Sequence, residues 1–412
     1  MSRPDYRPFV PAPGHSAIAG STPRAHAQAR MQSPRAKDLF GTWAKLGAVP
    51  FKGITTNGHV RPGLFSLQPE DAPTPAMVGV VENLLRRLSP AQRNAMCFPV
   101  DSQLWRHWQN TELYVEHHGL RLDDVDASLR EAVMAVLRVS LSGKGYEVAR
   151  GVMRLNRFLG DLLGAPEVLG EWAYIFCLFG TPSQSEPWGW QLFGHHLSLN
   201  CFVIGRQMVL TPCFFGAEPN YADTGPFAGT HLFQDEERAG LALMRSLSPR
   251  QQKAASVAHS MMGGDLPPDR RHFADNLHLG GAYQDNRIVP YEGLRASEMS
   301  ARQLRDLMDL VAAYVAPLPA GPAAARVADI ERHLDDTHFC WIGGHDEQSP
   351  FYYRIQSPVV FIEFDHHAGV FLTNAEPAKF HVHTIVRTPN GNDYGVDLLR
   401  LHYRHAAHHR HE

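Results

Sequence analysis

Histidines and carboxylates occur in three stretches of the sequence, at spacings that suit a metal ion or a proton-transfer site. They form three pairs: His195 with His196, Glu363 with Asp365, and His381 with His383. Alternate residues of a β-strand share a face, so both members of a period-two pair point the same way. Imidazoles and carboxylates that converge suit Zn²⁺, Fe²⁺ or Mn²⁺. We therefore predict a site for one divalent metal ion of this group.

The predicted ligands are His196, His381 and His383. Glu363 is expected to be the fourth ligand or the general base, and Asp365 is the second carboxylate that could take up a proton. A buried carboxylate without a partner is costly, so both are expected to have one. Two other interpretations stay open, namely a polar catalytic cluster without metal and a structural hydrogen-bond network.

If His195 and His196 lie in a strand, their side chains point to opposite faces of the sheet. His195 then shares a face with the apolar Leu197, whereas His196 shares the opposite face with Asn200. We therefore expect His195 to be a structural histidine and His196 to be the ligand.

Residues on either side of these pairs could form a substrate pocket. The predicted substrate-binding residues are Trp188, Trp190, Gln191 and Asn200, although tryptophans in such a stretch are also ordinary core residues. Arg387 follows the His-x-His pair and could orient an anionic substrate group, which makes it a third candidate catalytic residue, or pair with one of the two carboxylates.

Composition and charge exclude several classes of protein. The 412 residues include 39 Lys and Arg against 42 Asp and Glu, so the formal net charge is -3. A chain with this balance offers no positive field for nucleic acid or an anionic membrane. Five cysteines without a C-x-x-C spacing favour a reducing compartment, and no stretch is apolar for the ~18 residues of a membrane span. We expect a cytoplasmic protein that binds a small molecule; its oligomeric state stays open.

The pattern along the chain predicts one large α+β domain. Residues 1–35 are expected to form a flexible arm, residues 36–403 the domain, and residues 404–412 a His-rich tail. Within the domain, a turn-rich β region is predicted between Phe40 and Leu67. A hairpin over residues 195–212 and the C-terminal strands should form a sheet core that helices wrap.

Two similar strings suggest an internal duplication. RRLSPAQRNA and RSLSPRQQKA both place a Ser-Pro pair at the start of a helix. The similarity extends over few further residues, so duplication stays a hypothesis.

Longer strings resemble the domain-of-unknown-function family 3500. They include FKGITTNG, FPVDSQLWRHWQN, RGVMRLN, GEWAYIFCLFGTPSQSEPWGWQLFGHHLSLN, ALMRSLSPRQ, FIEFDHH and HVHTIVRTPNGNDYGVDLLRLHY. Together they span residues 50–403. The resemblance implies that the GHH, EFD and HVH strings belong to one domain, and it leaves the mechanism open.

These observations predict a metal-dependent enzyme that acts on a small organic molecule. Hydrolysis by a metal-activated water needs the fewest parts, because the sequence has no nucleotide-binding or serine-hydrolase motif. One alternative is a non-haem iron oxygenase with two histidines and one carboxylate. The other is a metal-free protein that binds a small ligand without breaking a bond.

Overall fold

The computed structural model describes residues 5–12, 18–266, 270–272 and 274–405. Residues 1–4 and 13–17 of the predicted arm lie outside the described residues, as do residues 406–412 of the predicted His-rich tail.

The helices begin mostly where a side-chain oxygen accepts a backbone N–H, or where proline occupies the first turn. Within the described residues they are α1 (Pro23–Arg30), α2 (Pro34–Ala48), α3 (Thr74–Arg87), α4 (Pro90–Met96), α5 (Ala127–Ser140), α6 (Gly143–Leu162), α7 (Gln234–Ser246), α8 (Pro249–Ala255), α9 (Ala301–Val315), α10 (Ala320–Arg332) and α11 (Val396–His405).

The strands of the described residues join into one sheet, which together with the helices makes an α+β fold, as predicted. They are β1 (Cys97–Phe98), β2 (Leu120–Arg121), β3 (Tyr174–Phe179), β4 (Trp188–Gly194), β5 (Leu197–Ile204), β6 (Gln207–Ala217), β7 (Ser256–Ala258), β8 (Leu294–Arg295), β9 (His338–Gly343), β10 (Phe351–Gln356), β11 (Phe361–His367) and β12 (Ala378–Arg387). The predicted hairpin corresponds to β5 and β6, which turn at Gly205 and Arg206.

The sheet consists of two halves with the same internal order. One half runs β1-β3-β4-β5-β6 and the other runs β7-β9-β10-β11-β12, and they meet where β6 pairs antiparallel with β12. In the first half β1 runs parallel to β3, and β2 pairs antiparallel with β3. In the second half β7 runs parallel to β9, and β8 pairs antiparallel with β9. The helix before each first strand starts with the same capping box, Ser89 with Gln92 in α4 and Ser248 with Gln251 in α8. This correspondence supports the duplication that the two similar strings suggest.

The two faces of the sheet differ in what covers them. The face that we call the helical face packs its apolar residues, such as Trp190, Phe215 and Phe364, against α3, α5, α6, α7 and α9. The opposite face, which we call the site face, includes Cys177, Ile385 and Phe361. Irregular segments and α2 cover the site face instead of a helical layer.

Two segments differ from simple expectations. The β region predicted between Phe40 and Leu67 is wrong, because α2 continues to Ala48 and the residues after it form only an isolated bridge, between Thr55 and Ile288. Ser33 caps this helix and Pro34 occupies its first turn. In the predicted arm, Tyr6 is fully buried and packs edge-on against Phe158, so part of the arm lies on the domain.

No helix in the parts of the chain that the structure describes is long and apolar enough to cross a membrane.

Candidate metal centre

Three histidines converge on the site face where the two halves of the sheet meet. His381 and His383 project from β12 at alternate positions, and His196 reaches them from the loop between β4 and β5. One ring nitrogen from each lies within 4.8 Å of the other two. All three side chains are buried, with relative exposures of 0–4%. The structure thus brings together the three predicted ligands.

Two of the three separations between the nitrogens are close to those of tetrahedral coordination. His381 Nε2 lies 3.3 Å from His196 Nε2 and 3.1 Å from His383 Nε2. Nitrogens about 2.0–2.1 Å from a tetrahedral zinc ion are separated by roughly 3.3 Å. Three histidines also leave one tetrahedral position open, as catalytic zinc sites do.

A single carbonyl group sets the tautomers of two rings at this centre. The Ala368 carbonyl oxygen lies 2.9 Å from His381 Nδ1 and 3.0 Å from His367 Nδ1. A carbonyl only accepts, so both rings carry their proton on Nδ1. The Nε2 atoms of His381 and His367 therefore keep free lone pairs, and a backbone carbonyl is the usual partner of the distal nitrogen in a metal-bound histidine.

The ligand set is uncharged in its resting form. Burial, reinforced by the neighbouring imidazoles, holds the pKa of His196, His381 and His383 well below the usual value for histidine. Neutral imidazole is the form that binds a metal ion. Burial also raises the pKa of Glu218 to about 7, although three backbone N–H groups bind its carboxylate. This carboxylate lies 3.7 Å from His381 Nδ1.

The placement of His195 and His196 corrects the predicted strand. Gly194 pairs with Leu197, so the two histidines form the two-residue turn between β4 and β5. His196 has φ 61°, in the left-handed region that residues with a Cβ seldom adopt. Its carbonyl accepts a bond from Gly216 N, which ties the turn to β6. The alternation of the flanking strands hid this turn, because neither of its two residues is glycine.

His195 points away from the ligand nitrogens. Its Nδ1 lies 2.7 Å from Asn156 Oδ1 of α6, and its ring stacks on His196 with centroids 3.9 Å apart. The His195 ring therefore packs against the His196 ring, and the Asn156 side chain holds it in place by a hydrogen bond.

Gly216 leaves the space that the ligand rings occupy. It faces His383 across β6 and β12. A Cβ at this position would lie 2.9 Å from His383 Cδ2 and 3.0 Å from His196 Cδ2. Only glycine therefore allows both rings to reach their positions over this strand.

Three buried side chains beside the ligands have polar atoms without hydrogen-bond partners among the described residues. Asp365 Oδ1 lacks a partner, and His367 Nε2 and the ring nitrogens of His278 make no bond of normal geometry, although the Ala274 backbone acts on the pKa of His367 and the His383 backbone acts on that of His278. The His367 and His278 rings lie 4.2 and 6.0 Å from the His383 ring, centroid to centroid. Asp365 pairs with His383 across β11 and β12. Such atoms are rare in native proteins and need a water, an ion or a ligand.

The two predicted carboxylates differ in their surroundings. Glu363 accepts bonds from Leu279 N, Gly280 N and the Tyr352 hydroxyl, at 2.6–3.0 Å. These contacts hold residues 277–285, which we call the covering segment, on the sheet. Asp365 accepts a single long bond, 3.4 Å from Leu277 N, and burial raises its pKa well above the usual range. Asp365 is thus the carboxyl group with a free oxygen.

Arg387 has its donors occupied away from the ligands. Nε and Nη2 donate to the carbonyls of Gly280 and Gly281, and Nη1 donates to Asp285 and Asp393, at 2.6–3.0 Å. Asp285 is also bonded by Arg106. The guanidinium therefore joins the covering segment to the end of β12.

The four predicted substrate-binding residues do not meet the three histidines. Trp188 and Trp190 lie in the core of the helical face, where their indole nitrogens donate to Ser183 O and Ser140 Oγ. Gln191 of β4 and Asn200 of β5 lie in adjacent strands, and Gln191 Nε2 donates to Asn200 Oδ1 at 2.6 Å. Strand alternation separates Trp188 and Trp190 from the site face.

Four residues of the centre were missed from the sequence: Gly216, Glu218, His278 and His367. His367 could have been identified from the strand period, because it continues the alternation of Glu363 and Asp365 in β11. His278 lies in an irregular segment, where no period could assign it to a face.

The fold and the site define an α+β protein with a buried three-histidine cluster where the two matching halves of its sheet meet. The chain belongs to the family described as "Protein of unknown function (DUF3500)", whose model matches residues 70–396. No curated protein and no solved structure matches the chain.

Proposed function

We propose that this protein is a metal-dependent enzyme that acts on a small organic molecule, with His196, His381 and His383 as the metal ligands. The observation that carries the proposal is the convergence of three buried, neutral imidazoles on one point. A divalent metal ion can accept one lone pair from each of three neutral imidazoles that face one another in this way.

The donor set favours zinc and hydrolysis. Zinc bound by three histidines lowers the pKa of a bound water to about 7 and so supplies hydroxide at neutral pH. The iron oxygenase alternative needs two histidines and one carboxylate. Glu363 is the carboxylate that the sequence predicts as a ligand, and its oxygens already accept hydrogen bonds from Leu279, Gly280 and Tyr352.

The unpartnered atoms define the side from which a substrate would approach. His367, Asp365 and His278 lie beside His383, toward β11 and the segment that covers it. His367 Nε2 can accept a hydrogen bond, because its Nδ1 proton is held by Ala368. Asp365 has one free carboxyl oxygen and can accept a proton or return it. We assign these three residues to substrate binding and proton transfer.

Metal analysis of the full chain tests the proposal. The protein is purified without an added tag, stripped with chelator, loaded with Zn²⁺ and analysed for bound metal. A histidine-rich tail can bind metal in its own right, so the comparison uses a chain with His405, His408, His409 and His411 replaced by glutamine. We expect one tightly bound zinc ion in this chain and none after the further change His383→Gln. Exposed His59→Gln is the matched control and should retain the ion.

The same experiment distinguishes the metal-free alternative. If the tail-substituted chain binds no zinc, or if His383→Gln binds as much as the control, the metal hypothesis is wrong. A protein that holds a small ligand without metal would give that result, and chelator would not change its thermal stability. A bound metal should raise the melting temperature, because the ion binds only the folded chain.

A further inference from the structure

A short segment of the N-terminal arm, residues 5–10, is fastened onto the domain, and we call it the strap. Tyr6 is its anchor, because its side chain is fully buried. The Tyr6 ring packs edge-on against the rings of Phe158, Tyr221 and Phe380, with centroids 4.9–6.4 Å apart. Aromatic contacts of this kind stabilise a docked segment beyond the area that they bury. One buried side chain therefore holds the strap in place.

A carboxylate fastens the strap closer to the surface. Asp223 accepts hydrogen bonds from Arg7 Nε and Nη2, at 2.8 and 2.6 Å, and from the Tyr6 hydroxyl. The side chains of Arg7 and Asp223 are 41 and 30% exposed, so solvent and salt screen this pair. Tyr6 is the one fully buried residue of the strap. The strap can therefore open at a lower cost in free energy than unfolding of the whole domain.

The strap holds an irregular loop of the domain. The Phe9 carbonyl accepts two hydrogen bonds from Thr373, 2.9 Å from its backbone N and 3.0 Å from its hydroxyl. Thr373 belongs to residues 368–374, which we call the support loop and which lie between β11 and β12 without regular secondary structure. Since no strand ladder fixes this loop, its position depends on the groups that bind its backbone.

The support loop is also part of the metal centre. Its Ala368 carbonyl is the acceptor that fixes the tautomers of His381 and His367. The backbone N–H groups of residues 370–372 donate to Glu218. The loop that the strap holds thus contains the hydrogen-bond partner of a ligand ring.

A second contact leads from the support loop to another ligand. The Phe371 ring packs edge-on against His195, with centroids 5.5 Å apart, and the His195 ring stacks on His196. The support loop therefore supports two of the three ligand rings, His381 directly and His196 through His195.

We infer that the strap regulates the metal affinity of this centre. While residues 5–10 are docked, the support loop holds the ligand rings in their converged arrangement. Release of the strap frees the loop, displaces the Ala368 carbonyl and weakens metal binding. Loss of such a hydrogen-bond partner usually costs about 10–100-fold in metal affinity. The inference rests on the proposed function, because it assigns a regulatory element to the same metal centre.

The replacement Tyr6→Ala tests the inference in the full chain that carries the tail substitutions. Alanine removes the buried anchor, so the strap should detach. In the metal-free protein we expect hydrogen exchange of residues 368–374 to become about tenfold faster, while exchange of β5, in the core of the sheet, stays unchanged. Zinc affinity, measured by competition with a chelator, should fall about tenfold or more.

A milder variant and its matched control guard against general damage to the fold. Arg7→Gln loosens the strap without removing a buried ring, so it should change both measurements in the same direction by a smaller factor. Arg24→Gln removes another exposed ion pair between the arm and the domain, with Asp124, and should leave both measurements as in the parent. If Tyr6→Ala does not fold, the comparison of Arg7→Gln with Arg24→Gln decides instead.

The possible results separate this inference from the proposed function. The inference is overturned if exchange of residues 368–374 does not change on loosening the strap, or if zinc affinity stays that of the parent. The proposed function stands in both cases, provided that the parent protein binds zinc. A parent protein that binds no zinc refutes the proposed function, and the inference with it.

Discussion

Gly216 lies directly across from His383 in the antiparallel pair of β6 and β12, and its missing side chain makes room for the ligand rings. We predict that Gly216→Ala displaces the rings of His383 and His196, since the new Cβ would approach both at 2.9–3.0 Å. Zinc affinity should fall about 10–100-fold, the usual cost of disturbing the support of a ligand. Competition with a chromogenic chelator measures it.

The control for this variant is Gly79→Ala, at an exposed position of α3 where a Cβ meets no atom within 4 Å. It should leave zinc affinity unchanged and make the fold slightly more stable, because alanine favours a helix over glycine. Unchanged zinc affinity in Gly216→Ala would show that the rings do not need this space.

His196 combines a ligand role with an unfavourable backbone conformation. Its φ of 61° suits glycine, so the protein holds the imidazole in place at a cost in stability. We predict that His196→Gly and His196→Ala both lose zinc. In the metal-free state, however, the glycine variant should be more stable than the alanine variant by about 1 kcal/mol. Urea denaturation of both proteins without metal measures this difference, and equal stabilities would contradict the strain.

The sequence predicted most reliably what depends on strand period. His381 and His383 could be assigned to one face because β12 is regular from end to end, and the α+β class followed from the alternation of helical and extended patterns. The turn at His195 and His196 could not be recognised, because a two-residue loop without glycine looks like continued alternation. The positions of Glu363 and Arg387 on the site face were predictable, but their partners were not. Most of those partners come from residues 279–285, whose irregular path depends on tertiary contacts.

The correspondence between the two halves of the sheet was also hard to predict from the sequence. The string GLR at residues 119–121 and again at 293–295 marks β2 and β8, and the glycines have φ of 89° and 88°. Such a short string carries weight only once both copies are known to pair with β3 and β9 in the same way. The histidine cluster lies where the two halves meet, so neither half contains it alone.

Arg387 is predicted to stabilise the fold instead of binding substrate. Arg387→Met leaves Asp393 and two carbonyls without their buried donor, and it removes one of two cations beside Asp285. We expect a loss of about 3–5 kcal/mol in the free energy of unfolding, with zinc binding by the folded fraction unchanged. Arg400→Met, at an exposed position of α11, should cost little. Denaturant titration followed by metal analysis checks both, and a stable Arg387→Met protein would contradict the structural role.

Glu237 of α7 should control stability in acid. Burial alone would raise its pKa, but hydrogen bonds and charge interactions with His366 and Lys379 lower it to about 2. Because burial lowers the pKa of His366, the positive partner at neutral pH is Lys379, whose Nζ lies 2.8 Å from the carboxylate. A carboxyl group with a lowered pKa in the folded state stabilises the fold above its usual value of 4.5. This contribution decreases as the pH falls from 4.5 toward 2.

The replacement Glu237→Gln isolates that contribution. The parent protein should exceed the variant in unfolding free energy at pH 7, and the difference should shrink steadily between pH 5 and pH 2. Denaturation at a series of pH values measures it, with exposed Glu331→Gln as the control that shows no such trend. A difference that stays constant with pH would mean that Glu237 acts through packing and not through its charge. The pair with Lys379 would then contribute little, although both side chains are largely buried between α7 and β12.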